Sequence, residues 1–75
     1  MDKFELEGQI LRVLDTDDWM TVKEVHARIH EVFGSEPPES TVRSRLESLV
    51  RFRAVESRTQ TVGGWKNASY RRLGA

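Results

Sequence analysis

The sequence predicts a mainly α-helical domain completed by a small β-hairpin. Apolar residues recur three or four positions apart in three separate stretches, the signature of amphipathic helices. Turn-forming residues divide those stretches. Beyond Ala54 the spacing changes to short β-branched and aromatic runs on either side of a Gly-Gly pair. Three short helices of this kind bury their faces only by packing on one another, with the hairpin covering an open edge.

The first helix is expected from about Phe4 to Leu14, where Leu6, Ile10, Val13 and Leu14 form one stripe. Gly8 lies opposite that stripe and costs some helix stability but no packing. "DTDD" ends the helix, and Trp19–Met20 is a short extended piece at most. In "TVKEVHARIHEVFG", Thr21 and Glu24 have capping-box spacing, so that hydroxyl and carboxylate each satisfy an orphan amide. Val22, Val25, Ile29, Val32 and Phe33 continue as an apolar stripe, and Gly34 is placed to close that second helix. "SEPPE" then forces a turn, since prolines cannot extend a helix but can open the next one.

A third helix follows from about Glu39 to Phe52. Val42, Leu46 and Leu49 set its buried stripe, with Val50 and Phe52 on the margins. Opposite them lie Ser40, Ser44, Glu47 and Arg51, flanked by Arg43 and Arg45. "AVESRTQTV" and "ASYRRL" read as strands joined through "GGWKN", with Gly63–Gly64 and Asn67 as the turn chemistry.

At 75 residues the chain is expected to be one domain, residues 1–75, held by a single small core. Its 37% hydrophobic and 32% charged residues describe an ordinary globular chain, and the absence of cysteine removes disulfides and thiolate metal sites. No apolar run approaches the roughly 18 residues of a membrane span, and the acidic start "MDKFELEG" is not a signal peptide. A soluble, cytoplasmic protein without a membrane role is the expectation. The net charge is zero but polarised: residues 1–37 carry four cations against nine acids, and residues 38–75 carry eight cations against three. Seven of those eight cations are arginine, the side chain best suited to phosphate and guanine edges. Such a chain can present one basic face to a polyanion.

"TVKEVHARI", "STVRSRLESLVRFRAVESR" and "GGWKNASYRRL" together resemble the winged helix-turn-helix superfamily over essentially the whole chain. The three segments match the motif's first helix, the recognition helix running into the wing, and the wing tip with its returning strand. "QILRVL", "TVKEVHARI" and "STVRSRLESLV" are loosely similar to penicillinase-repressor-type regulators. The resemblance implies a three-helix winged helix-turn-helix domain, with recognition helix at about 39–52 and wing at about 54–73. Where the family often places a small residue after Val25, this chain has His26.

In that architecture the third helix enters the major groove, and its N-terminal half reaches base edges. Ser40, Thr41, Arg43, Ser44 and Glu47 form the expected readout set, with Arg43 donating to guanine and Glu47 accepting from cytosine. A solvated helix face is the plain alternative for the same residues. Arg51 and Arg53 suit backbone phosphates. Arg58, Arg71 and Arg72 lie on the hairpin, where facing rows of arginine are unfavourable without a nearby anion. Lys66 is expected at the wing tip, against a phosphate or the minor groove, and Trp65 beside it either folds back on the hairpin or stacks on a partner.

His26 and His30 stand four apart on one helix but lack a third ligand type nearby, so no metal is expected. Nor is a cofactor, a small-molecule ligand or a catalytic constellation: no spacing joins nucleophile, base and oxyanion donors, and "VGGW" precedes no helix. The expected function is a small double-stranded DNA-binding protein in transcription regulation. A module of this size buries only about 600–1,000 Å² on DNA, so a homodimer, a partner protein or clustered sites would have to add affinity. The competing expectation is a winged-helix protein-interaction module, for example one binding a polymerase or packaging complex. RNA binding lacks the exposed aromatic platform such proteins favour.

Overall fold

The computed structural model describes residues 3–74; Met1, Asp2 and Ala75, the ends of the expected domain, lie outside the described residues. The elements are α1 (Lys3–Val13), β1 (Met20–Thr21), α2 (Val22–Phe33), α3 (Glu39–Arg51), β2 (Val55–Val62) and β3 (Trp65–Arg72). This is the expected fold class, three helices and a hairpin in a winged helix-turn-helix arrangement. The short extended piece before α2 is a true strand: β1 pairs antiparallel with β3, giving the sheet order β1-β3-β2.

Each helix contributes one ridge to the core: Leu6 and Ile10 from α1 with Leu14 just beyond it, Val22, Val25 and Ile29 from α2, and Val42, Leu46 and Leu49 from α3. The sheet adds Val55 and Tyr70, each 1% exposed. Burying an aliphatic side chain of this size is worth about 1.5–3 kcal/mol. The stripes are narrower than the sequence suggests. Val13 is only half-buried, because the ridge through Leu6, Ile10 and Leu14 passes beside it. Val32 is 57% exposed for the same reason, lying to one side of the line through Val25, Ile29 and Phe33. Phe52 is 78% exposed because α3 has ended before it, so helical spacing no longer carries it inward.

Local chemistry sets the helix ends. The Thr21 hydroxyl accepts from the Glu24 amide and the Glu24 carboxylate from the Thr21 amide, both at 3.2 Å, which completes the capping box of α2. Gly34 closes α2 at φ 68, with its amide donating to His30 O at 2.9 Å. At the start of α3 the Pro38 carbonyl accepts from Thr41 and Val42 at 3.0 and 3.1 Å. His26 is half-buried and its Nε2 donates to Pro37 O at 2.7 Å. His26 therefore clamps the turn between α2 and α3.

The end of α3 is a Schellman turn. Arg53 donates to Val50 O and Ala54 to Leu49 O, both at 3.0 Å. Arg53 occupies the position usually given to glycine, at φ 59. Only Gly63 and Gly64 then separate paired residues Val62 and Trp65, at φ 58 and 84. A two-residue turn with both φ values positive is one that glycine enters without strain. Trp65, Lys66 and Asn67 accordingly belong to β3 and not to a longer loop. Backbone bonds from Arg72 to Asp15 O (2.9 Å) and from Leu73 to Ala54 O (3.1 Å) fasten the sheet to the helices.

Because a left-handed backbone strains a Cβ-bearing residue, Arg53→Gly is expected to stabilise the domain by about 0.5–1 kcal/mol, after allowing for glycine's larger unfolded-state entropy. Urea denaturation of the two proteins checks this; an unchanged or lower midpoint contradicts it.

Candidate nucleic-acid interface

Burial of Val42, Leu46 and Leu49 turns the opposite side of α3 outward, and Ser40, Arg43, Ser44, Glu47 and Arg51 are all exposed there. Beside them runs β3. Arg43 and Glu47 share a cleft of about 380 Å³ with Lys66 and Tyr70 of β3 and with Lys23 and Glu39. The helix face and the wing strand thus bound one concavity, whose charged walls carry three cations and two carboxylates.

Tyr70 joins the two walls. Its ring is buried in the core, and its hydroxyl donates to Glu47 Oε1 at 2.7 Å. The phenol pKa is pushed up from 10 to about 12, mainly by burial and then by the hydrogen bond and charge of Glu47, with Arg43 acting in the opposite sense. At neutral pH the hydroxyl is a firm donor.

Side chains alternate along a strand, so Lys66, Ala68 and Tyr70 share the sheet face turned to α3. Their partners in register, Thr61, Thr59 and Ser57, bring a row of exposed hydroxyls to that face. None of these was singled out from the sequence, although the every-second-residue hydroxyl pattern in "SRTQT" is a legible signal.

Other candidates fall elsewhere. Thr41 is half-buried and lines a separate notch with Leu6, Glu36, Pro37 and Pro38. Arg45 reaches back to α1, with its Nη1 3.9 Å from Glu7 Oε1. Arg53 is exposed at the corner between α3 and β2. Arg58 and Arg71 lie on the sheet face away from α3, because Arg71 follows Tyr70 and Arg58 pairs with Ser69. Arg71 pairs with the Glu56 carboxylate, and the guanidinium carbons of Arg58 and Arg71 each stand 4.5 Å from the Trp19 ring centroid. The anion that facing arginines require is Glu56, aided by the π face of Trp19. Arg72 is also engaged, with Nη1 donating to Leu11 O at 3.3 Å. Trp65 does not fold back on the hairpin: it is 78% exposed.

Among the described residues no group of three His, Cys, Asp or Glu side chains is arranged to hold a metal ion, and no helix is long and apolar enough to cross a membrane. His30 Nδ1 lies 3.5 Å from Glu36 Oε1, both exposed.

No protein-family model matches the chain, and no curated protein matches it. Among solved structures it is similar to the crystal structure of a protein from Thermoplasma acidophilum described as a "putative transcriptional regulator". The TM-score is 0.81 at 18% identity, over 95% of this chain and 67% of that one. At that identity the likeness is one of fold.

Tyr70 is the chain's one tyrosine, so phenolate absorbance reports it directly. A pKa raised on folding adds stability that is complete below pH 10 and is lost as pH climbs through about 12. The native protein is therefore expected to titrate near 12 and to lose stability across that window. Glu47→Gln should bring the titration down, and Tyr70→Phe should flatten the loss. A native phenol titrating near 10 contradicts this account.

Proposed function

We propose that the chain is a small double-stranded DNA-binding protein acting in transcription regulation, with α3 in the major groove and the β2–β3 hairpin on the backbone or minor groove. The observation that carries the reading is the shared cleft: the uncovered face of α3 and Lys66 of the wing bound the same concavity. Ser40, Arg43, Ser44 and Glu47 face base edges, with Thr41 at the margin of that set, and Arg51 and Arg53 meet phosphates. A hairpin entering a groove presents two faces to two phosphate walls. Lys66 and the Ser57, Thr59 and Thr61 hydroxyls serve one wall and Arg58 the other, while Arg71, expected there too, is held by Glu56. Membership of the winged helix-turn-helix superfamily, loosely near penicillinase-repressor-type regulators, a single domain, and a cytoplasmic location complete this reading.

A second reading rests on Phe52 and Trp65, two aromatic side chains each 78% exposed at opposite ends of the hairpin. They suit a protein-interaction module, a polymerase or packaging complex being examples of the partner. They also suit a homodimer or partner protein that adds area to a small DNA footprint.

Salt separates the two. Duplex binding is expected to weaken as ionic strength rises, with a log–log slope of roughly −0.9 for each phosphate neutralised. Lys66→Ala should weaken binding about equally on all sequences and shrink that slope by about one, whereas Arg43→Ala should also relax preference at one base pair. The double variant Arg43→Ala, Arg51→Ala should abolish duplex binding. Fluorescence-anisotropy titrations on specific and random duplexes measure all three. Binding that is indifferent to salt and to the double variant removes the DNA reading.

A further inference from the structure

We propose that Tyr70 is a positioning residue for base readout, fixing Glu47 as a rigid acceptor that demands an amino-bearing base one helical turn along from the base met by Arg43. The inference rests on the DNA reading above and specifies the sequence chemistry of the same interface.

A glutamate on an exposed helix face ordinarily has several rotamers and can swing away from whatever it meets. Glu47 is denied that freedom. Its Oε1 accepts from a phenol whose ring is 1% exposed and locked in the core, at 2.7 Å. A bond from a neutral hydroxyl to a carboxylate is charge-assisted and strong. Tyr70 is paired in register with both Met20 and Ser57, so its backbone is held on both sides. The tether therefore runs from the centre of the sheet to the outward face of α3.

One engaged oxygen leaves the other with its lone pairs free, and Glu47 still borders the cleft beside Arg43. Four residues separate them, so they stand one turn apart on the same face. In the major groove cytosine and adenine offer amino donors, whereas guanine and thymine offer acceptors at the corresponding edge. A mobile carboxylate tolerates an acceptor by turning aside. A tethered one meets it as an unrelieved acceptor–acceptor contact, so the wrong base is rejected as well as the right one accepted. Arg43, a pure donor, selects the opposite pattern at its own position. The two residues together specify guanine at one position and cytosine or adenine at the other.

Base preferences of the purified wild-type chain and two variants, measured by selection from a randomised duplex pool and then by titration, test this. Tyr70→Phe keeps the ring and frees Glu47. Discrimination at a single base pair should narrow by about five- to tenfold. Glu47→Gln keeps an acceptor for the phenol but adds an amide donor, so guanine and thymine should become acceptable at that pair even if Tyr70→Phe folds poorly. A role confined to folding moves thermal stability and leaves the preference profile unchanged. Wild-type binding with profiles identical in both variants overturns the positioning role alone. Failure of the wild type to bind any duplex overturns the DNA reading and this inference with it.

Discussion

Alternation along β3 is the constraint on which the rest of this molecule depends. The strand lies between β1 and β2, and successive side chains must leave it on opposite faces. Placing Tyr70 in the core sends Lys66 and Ala68 toward α3 and sends Arg71 the other way. A one-residue slip would put a guanidinium among Ile10, Val25 and Leu46 and a phenol in water. The core thus fixes which arginines stand beside α3 and which do not.

Much of the fold was legible because its signals are local. Thr21 and Glu24, Gly34, the proline pair and Gly63–Gly64 each act within four residues of themselves, and each does what its spacing implies. The core ridges were legible too, except at Val13, Val32 and Phe52. There periodicity names the side of a helix but not how far its neighbours extend. The site was less legible because its decisive contacts are long-range. Tyr70 meets Glu47 across 23 positions, and Arg71 meets Glu56 across 15. A two-residue turn at Gly63–Gly64 sets Glu56 opposite Arg71, but the sequence suggests the longer "GGWKN" connection, and the Tyr70–Glu47 contact depends on how the sheet docks on α3. Trp19, which with Trp65 reads from the sequence as surface for a protein partner, instead lies beside the sheet with Arg58 and Arg71 at its ring.

The polarised charge takes a more particular form in three dimensions. The basic half of the chain does not spread evenly over one surface. Arg45, Arg71 and Arg72 are drawn into contacts with Glu7, Glu56 and the Leu11 carbonyl, whereas Arg43 and Lys66 stay exposed at the shared cleft and Arg51 and Arg53 at the far end of α3. Four of the acids of the first half, Asp15, Asp17, Asp18 and Glu24, line a separate hollow together with Trp19, Arg28 and Arg58.

The junction between α3 and β2 carries a mechanical consequence. Three residues span it, the left-handed Arg53 is tied by its amide to Val50, and the next residue but one, Val55, is already buried. Such a corner has no slack. The angle between helix and wing is that of a bracket rather than a hinge, and on the DNA reading a duplex gripped at both arms would have to bend to suit it. Stiffness or pliancy in the ligand then becomes a criterion of choice at places this chain never touches.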